Sequence, residues 1–452
     1  MSEDFEREER AFADALRKDA PVEAFRPLDP EAVRAAAGPG VRSGRPRWLK
    51  GLAAAAAVVV VVGAGAAILP GLVGGSASSV SGMPEVYPAS GAASMDAQDR
   101  ASAAAGPGPV SKLSEWSLTS GMPLTPRSNA AGAWLNGEFY VVGGQSDPPC
   151  PPNASCVAPD QLLKDAAAYN PATNTWRRIA DAPVALSGGN PVVVGGWLYL
   201  QRDYGPDGKV YAYDTTTDVW LQLPSPAGGG VLVALGDRLA GVAWSTEEAG
   251  TFDELLDPAT GQWTRLPADP LKASYERTLV WVNGRGLLFA KDVRTQSSAR
   301  APVFRVAELD LSAGRWRTLP DTDVVGVGGL AVGDLVVFPE PGSYDGGEAD
   351  NWGRSYPAGG IYDPASGKWS RLPGPARWAG GLSVMGSSVA GVRMLGNGRL
   401  LDPVERTWTT VPAPPAGNLL GQTVVAGPDG ILLFGGWDGK APTAGSAYLP
   451  LR

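Results

Sequence analysis

Short apolar runs recur through the chain beyond residue 110, and turn-forming residues separate them. Five of these runs are rich in β-branched and aromatic side chains, which is typical of buried or half-buried β-strands. They are residues 137–144, 196–200, 285–290, 334–338 and 430–436. The first and the last end in Gly-Gly, which predicts a sharp turn or a close approach to a neighbouring segment. The pattern predicts an all-β domain over 111–452.

A tryptophan that follows a tight turn and precedes a Leu-Pro-like segment marks each repeat of this domain. The turn typically reads Asp-Pro or Asn-Pro, then a small polar residue and Gly or Asn, since Pro fixes φ and Gly tolerates positive φ. The tryptophan can fill the space between neighbouring sheets. Repeats 39 to 60 residues long predict a propeller or an array. The marker residues are Trp116, Trp176, Trp220, Trp263, Trp316, Trp369 and Trp408.

The best-formed copy resembles the kelch-repeat family. It reads Tyr-Val-Val-Gly-Gly at 140–144 and Tyr-Asn-Pro-Ala-Thr-Asn-Thr-Trp at 169–176. Other copies are degenerate, because residues 240–244 and 338–342 lack the paired glycines. The resemblance covers about 111–452 and implies a β-propeller with the tryptophan on the outermost strand of each four-stranded blade.

The two ends of the domain decide the number of blades. Six complete units finish at Trp176 to Trp408, and the remainder supplies only three further strands. The segment around Trp116 can provide the missing outer strand, which would leave no unpaired sheet edge. We therefore expect seven blades, the last assembled from both ends. Six blades with an unpaired N-terminal strand is the alternative.

Residues 51–69 form an apolar stretch without charge, long enough to cross a bilayer. Arg42, Arg45, Arg47 and Lys50 precede it, whereas the first charge beyond it is Glu85. The positive-inside bias predicts a single-pass transmembrane helix over 51–73, a cytoplasmic N-terminus and an extracytoplasmic propeller. A cleaved signal peptide is the alternative, but its charged region would be unusually long.

The segments on either side of this stretch differ in character. Residues 1–50 are expected to form a cytoplasmic tail, whose short amphipathic pattern would allow residues 1–40 to dock a cytoplasmic partner. Residues 74–110 are rich in Ala, Ser, Gly and Pro and predict a flexible tether. The overall richness in Ala, Gly, Pro and Arg resembles that of proteins from high-GC bacteria.

The composition excludes several kinds of chemistry. The chain has no histidine, so a Ser-His-Asp triad and a histidine-ligated metal centre are both excluded. Its 38 basic and 46 acidic residues give a net charge of −8, and no basic stripe follows residue 50. A nucleic-acid partner is therefore not expected. We also expect no metal and no cofactor.

Cys150 and Cys156 are the two cysteines, and both lie in the Pro-rich stretch 148–156. We expect a local disulfide, provided that this segment lies in an oxidising compartment. Two free thiols in a surface loop is the alternative.

The long loops provide most of the candidate binding residues. Antiparallel strands place the loops between second and third strands, together with the blade-to-blade connections, on one face, here called the long-loop face. Long loops on a rigid scaffold often carry function. The candidates are Tyr344, Asp345, Trp352 and Arg354 in the fifth blade and Trp437 and Asp438 in the seventh.

Three arginines, Arg127, Arg277 and Arg377, each stand just before a predicted innermost strand, near the mouth of the central channel. If they converge at the channel mouth, they would favour an anionic ligand. The alternative is that each bonds loop carbonyls within its own blade. Glu276, beside Arg277, belongs to the segment Ser-Tyr-Glu-Arg, which superficially resembles part of a sialidase site.

These features favour a recognition function over catalysis. The first hypothesis is a membrane-anchored extracytoplasmic module that binds a protein or a cell-envelope glycan through the long-loop face. The second is a carbohydrate-active enzyme of the sialidase or sugar-mutarotase type, whose acid and base would be Asp, Glu, Tyr or Lys. The third is a transmembrane signalling protein with a cytoplasmic partner at the tail.

Overall fold

Twenty-eight β-strands form seven four-stranded antiparallel sheets in the part of the chain that the computed structural model describes. The described residues are 113–149, 161–189, 191–202, 208–246, 250–258, 260–271, 273–291, 304–320, 328–339, 359–373, 382, 387–396 and 398–451. The predicted segments 1–50, 51–73 and 74–110 lie outside them. None of the described residues belongs to a helix long and apolar enough to cross a bilayer.

Each of the first six blades consists of four consecutive strands. Blade 1 contains β2 (Ala131–Leu135), β3 (Glu138–Gln145), β4 (Leu162–Asn170) and β5 (Thr175–Ile179). Blade 2 contains β6 (Val192–Val194), β7 (Trp197–Gln201), β8 (Lys209–Asp214) and β9 (Val219–Pro224). Blade 3 contains β10 (Val231–Leu235), β11 (Arg238–Val242), β12 (Glu254–Asp257) and β13 (Gln262–Arg265).

The next three blades repeat this order. Blade 4 contains β14 (Tyr275–Val282), β15 (Arg285–Lys291), β16 (Phe304–Asp310) and β17 (Arg315–Thr318). Blade 5 contains β18 (Leu330–Val332), β19 (Leu335–Phe338), β20 (Gly360–Asp363) and β21 (Lys368–Ser370). Blade 6 contains β22 (Ser387–Ala390), β23 (Arg393–Gly396), β24 (Arg399–Asp402) and β25 (Thr407–Thr410).

Blade 7 confirms the predicted closure from both ends. Its first three strands are β26 (Thr423–Ala426), β27 (Gly430–Phe434) and β28 (Ser446–Pro450), and its outer strand is β1 (Ser117–Leu118). The first strands of successive blades contact one another in order, and β26 returns to β2. The sheets therefore form a closed seven-bladed ring, and the six-bladed alternative is wrong.

The hydrophobic core lies between neighbouring sheets. One cluster joins blades 1 and 2 through Tyr140 and Tyr213, whose ring centroids are 6.0 Å apart. Another joins blades 4 and 5, where the Phe289 and Phe338 rings meet edge to face at 4.9 Å. Aromatic rings thus fill the wedge that opens between sheets of a ring.

The marker tryptophans have a second role that links the blades. Six of the seven donate from Nε1 to the segment that leaves the outer strand of the preceding blade. Examples are Trp263 to the Pro224 oxygen at 2.8 Å and Trp316 to the Pro267 oxygen at 2.9 Å. Trp116 donates to the Pro412 oxygen at 2.9 Å, which extends the pattern across the closure. Four of the six acceptors are prolines of a Leu-Pro-like exit, whereas Trp220 donates to the Ala180 oxygen and Trp176 to the Thr119 hydroxyl group.

The paired glycines have the predicted role of permitting close approach. Gly435 has φ 63°, and a side chain there would collide with the backbone oxygen of Arg127. Gly143 has φ 64°, and a side chain there would collide with the Leu186 oxygen. Each pair lets the connection into the next blade pass against the sheet.

Candidate functional site on the long-loop face

Trp244 is an exposed aromatic residue on the long-loop face. It lies in the connection between β11 and β12, which are the second and third strands of blade 3, and it is 50% exposed. Its backbone oxygen accepts a hydrogen bond from the Arg277 amide at 3.2 Å, so the loop is tied to blade 4. The other large apolar residues that are exposed in the described part of the chain lie on outer strands or at the opposite end.

Arg127 is fully buried just before β2 and bonds within its own blade. Its guanidinium donates to both oxygens of the Asp165 carboxylate at 2.6 and 2.7 Å, and to the Gly143 oxygen at 2.9 Å. Burial acts to raise the pKa of Asp165, but the hydrogen bonds and charge of Arg127 outweigh it and hold the pKa below its usual range. Its Nε also donates to the Thr125 oxygen at 2.9 Å, so Arg127 joins the segment that enters blade 1 to β3 and β4.

Arg277 is also fully buried, and it lies inside β14 rather than before that strand. Its guanidinium donates to Asp253 at 2.5 Å and to Asp269 at 3.1 Å, and its Nε donates to the Ala243 oxygen at 3.0 Å. Burial raises the pKa of Asp253, and the charge of Arg277 offsets this only in part. The arginine therefore fastens blade 4 to blade 3 through two carboxylates.

Glu276 has an unusual backbone conformation, with φ 47° at an irregularity in the β14–β15 pairing. The left-handed region is costly for a residue other than glycine, and such strain clusters at functional sites. The Lys291 ammonium donates to the Glu276 carboxylate and lies 5.5 Å from the centroid of the Phe304 ring. Lys291 is buried, whereas the Glu276 side chain is 21% exposed. Glu276 therefore presents a carboxylate to solvent beside a buried cation.

A pocket of about 140 Å³ opens between blades 3 and 4. Carboxylates, guanidiniums, hydroxyl groups and one aromatic ring line it, so it can offer both donors and acceptors to a ligand. The lining residues are Thr246, Thr251, Phe252, Asp253, Arg265, Leu266, Pro267, Ala268, Asp269 and Arg277. The Arg265 guanidinium carbon lies 4.3 Å from the centroid of the Phe252 ring.

Trp437 and Asp438 lie in the long loop between β27 and β28, as expected. Trp437 is half-buried, and its backbone forms bridges with Leu420 and Pro442. The exposed Asp438 accepts from the amides of Lys440 and Ala441 at 2.8 and 2.9 Å. These bonds hold the pKa of Asp438 below its usual range and make it the first residue of a tight turn.

Several predicted residues fall outside the described part of the chain. They are Cys150, Cys156, Tyr344, Asp345, Trp352, Arg354 and Arg377. The disulfide and the convergence of the three arginines therefore stay predictions. Within the described ranges, no group of three or more Asp, Glu or Cys side chains is placed to hold a metal ion.

The structure adds residues that the sequence patterns did not single out. Asp165, Asp253 and Asp269 were missed because their arginine partners are distant along the chain or belong to another blade. The sequence contained one signal for Trp244, since it stands at the end of the copy in which the paired glycines are replaced. An aromatic residue in a loop is not needed for the predicted packing between sheets, so its position indicates an exposed site.

A family model and several known proteins match parts of this chain. Residues 126–183 match the family model of the kelch motif. The Kelch-like protein terF of Aspergillus terreus is 25% identical over 337 residues, which cover 67% of this chain and 70% of that protein. Kelch-like protein 30 of Homo sapiens is 30% identical over 204 residues, which cover 35% of this chain and 34% of that protein.

A second kind of relative matches a shorter part of the chain. The N-acetylneuraminate epimerase of Pasteurella multocida is 35% identical over 91 residues, which cover 18% of this chain and 22% of that protein. The chain thus matches about a third or less of the length of two of these three relatives. Together with the seven four-stranded sheets, the matches support a kelch-repeat β-propeller protein.

Proposed function

We propose that the protein is a membrane-anchored, extracytoplasmic recognition module that binds a protein or a cell-envelope glycan through its long-loop face. The observation that carries this proposal is the exposure of Trp244 on that face. The marker tryptophans pack between sheets, whereas half of the Trp244 side-chain surface is accessible to solvent. Exposed tryptophans are enriched among residues that dominate binding energy.

The polar surroundings of Trp244 support the same function. Arg127 and Arg277 form ion pairs with carboxylates of their own chain, and these ion pairs fix the positions of the neighbouring loops. A rigid scaffold that carries an aromatic residue and a polar pocket suits binding, because little entropy is lost when a ligand is ordered against it. The kelch-like relatives are consistent with a binding module.

The direct test is capture of binders from envelope extracts by the purified full chain. We expect Trp244→Ala to reduce the captured amount at least tenfold, the effect of a loss of about 1.4 kcal/mol. Val404→Ala is the matched control, because Val404 is 73% exposed in the turn between β24 and β25, at the opposite end of the blades. Equal capture by wild type and Trp244→Ala, with Val404→Ala reduced, would reject the long-loop face.

A sugar-active enzyme is the second candidate, and the strained Glu276 favours it. Glu276 is the partly exposed carboxylate next to the buried Lys291, and a positioned carboxylate can serve as a general acid or base. The epimerase relatives point to sugars of the sialic-acid class as the first substrates to try. Anomer exchange of N-acetylneuraminate, followed by NMR, would be faster with the protein than without it.

A matched pair of variants makes this second test specific. Glu276→Gln would abolish the acceleration, whereas Glu308→Gln, at an exposed ion pair with Arg317 on blade 4, would retain it. An exchange rate that the wild-type protein does not change would eliminate this candidate.

A further inference from the structure

We propose that the pocket between blades 3 and 4 binds one neutral sugar ring of a glycan ligand. This inference rests on the proposed recognition function and names the chemical class that the face takes. The pocket lies beside the loop of Trp244, since Thr246, Thr251 and Phe252 of that loop line it.

Unused acceptor capacity at the two carboxylates supports a ligand rich in hydroxyl groups. Each Asp253 oxygen accepts one hydrogen bond, Oδ1 from the Ala243 amide and Oδ2 from Arg277. The Asp269 oxygens likewise accept one each, from the Leu271 amide and from Arg277. Because a carboxylate oxygen can accept two bonds, these four oxygens can also accept from sugar hydroxyl groups.

The donors and the apolar surfaces complete such a site. The exposed Arg265 lines the pocket, and its guanidinium can donate to ring or hydroxyl oxygens. Phe252 adds an aromatic ring to the pocket lining, with the Arg265 guanidinium over one part of it. Sugars combine hydroxyl groups with apolar C–H faces, and a pocket with a few placed polar groups around aromatic rings suits them.

The charges in the pocket favour a neutral ligand over an anionic one. Asp253 and Asp269 together carry one more negative charge than Arg277 compensates, and Arg265 balances it, so the lining residues have no net positive charge to attract an anion. A ligand carboxylate would lie in the same small pocket as two protein carboxylates. Like charges at close range oppose one another, so an anionic sugar is disfavoured.

The size of the pocket limits the ligand to one ring. Its volume of about 140 Å³ is smaller than the roughly 300–1,000 Å³ of pockets that enclose drug-sized ligands. One sugar unit would therefore enter, while the rest of a glycan would extend across the long-loop face towards Trp244.

The test measures binding of single sugars to the full chain by saturation-transfer NMR and titration calorimetry. The probes are methyl glycosides of neutral hexoses and N-acetylhexosamines, with a methyl glucuronide as the anionic probe. We expect at least one neutral glycoside to bind and the glucuronide to bind at least tenfold more weakly. Arg265→Gln should weaken the neutral sugar about tenfold, since a hydrogen bond to a charged group is lost.

Two further variants separate the pocket from the general surface and from the fold. Arg317→Gln, at an exposed arginine on the outer strand of blade 4, should bind as wild type. Asp269→Asn should improve glucuronide binding relative to the neutral glycoside, and a melting curve would show whether the variant remains folded. If Asp269→Asn unfolds, Arg265→Gln against Arg317→Gln decides the matter.

Three results would overturn the pocket proposal. They are the absence of binding by every neutral glycoside, tighter binding of the glucuronide by the wild type, and equal weakening by Arg265→Gln and Arg317→Gln. If the pocket fails while Trp244→Ala still reduces capture from extracts, the recognition function stands with another ligand. Loss of the Trp244 effect alone would remove the recognition function itself.

Discussion

Ser117 lies directly opposite Tyr448 in the outermost ladder of blade 7, although 331 residues separate the two along the chain. The Ser117 hydroxyl donates to the Tyr448 oxygen at 3.2 Å, and the Thr119 amide donates to the Ser446 oxygen at 3.0 Å. The short strand β1 therefore closes the ring with few hydrogen bonds. Leu113 and Trp116 reinforce it, because both pack against the core between blades 6 and 7.

Removal of this closing segment should destabilise the ring. A chain that begins at Gly121 lacks both β1 and Trp116, so we expect a loss of about 3 kcal/mol or more, as for deletion of a large core aromatic residue. The exposed edge of β28 should also promote self-association. Denaturant unfolding and size-exclusion chromatography measure these effects.

A second truncation provides the control for this prediction. A chain that begins at Leu113 retains the whole closing segment, so it should unfold at the same denaturant concentration as the full chain. Equal stability of the two truncated chains would show that β1 contributes nothing to closure.

The strands could be predicted because each repeat has its own local sequence signals, and the ring closure followed from counting the repeats. A period-two apolar run, a turn and a tryptophan fall within a few residues, and counting copies identified the incomplete one at the end. The contacts between copies were not predictable in the same way. The hydrogen bond from Trp316 to the Pro267 oxygen depends on how two sheets pack. The sequence shows only that a Leu-Pro segment recurs in several repeats.

The candidate site was less predictable than the fold. Arg127 was singled out, but its partner Asp165 lies in β4, 38 residues away, and no local pattern connects them. Glu276 was singled out for its neighbours, whereas its left-handed backbone arises from the irregular pairing with β15. Side-chain networks across blades depend on three-dimensional packing, which a single sequence does not encode in its periodicity.

Gly314 tests the turn chemistry of the repeat. It lies two residues before Trp316 with φ 60°, and no atom lies within 4 Å of the position that a side chain would begin to occupy. Gly314→Ala should therefore cost about 1 kcal/mol through backbone strain alone. Thermal unfolding would detect a lower Tm.

Gly445 is the matched control for Gly314. It has equally open surroundings without a positive φ, so Gly445→Ala should leave the Tm nearly unchanged or raise it. Equal destabilisation by both substitutions would contradict the assignment of strain to the turn.

Asp165 should make the stability of the protein depend on pH. Since its pKa is lowered in the folded state, its contribution is present above the ordinary value of 3.8 and is lost as the pH falls through the folded-state value. Asp165→Asn leaves the buried Arg127 uncompensated and should cost about 3 kcal/mol at neutral pH. The free energy of unfolding, measured from pH 7 to pH 3, would show the difference between wild type and variant shrinking in acid. A difference that stays constant or grows towards acid pH would contradict the role of the ion pair.

Cys150 and Cys156 should react with a maleimide only after reduction, if the propeller matures in an oxidising compartment. Mass spectrometry of protein isolated with thiols blocked at lysis would count the labels. We expect no label before reduction and two after it. Two labels without reduction would contradict both the disulfide and its use as an indication of the compartment.

Amide hydrogen exchange of the complex shows whether the partner binds to the long-loop face. With a captured binder present, we predict slower exchange in the segments 243–246, 250–253 and 435–445 on that face. The turns at Asn136-Gly137 and Asn283-Gly284, at the opposite end of the blades, should exchange as in the free protein. Protection confined to those turns, with the segments on the long-loop face unchanged, would show that the partner binds at the opposite end of the blades.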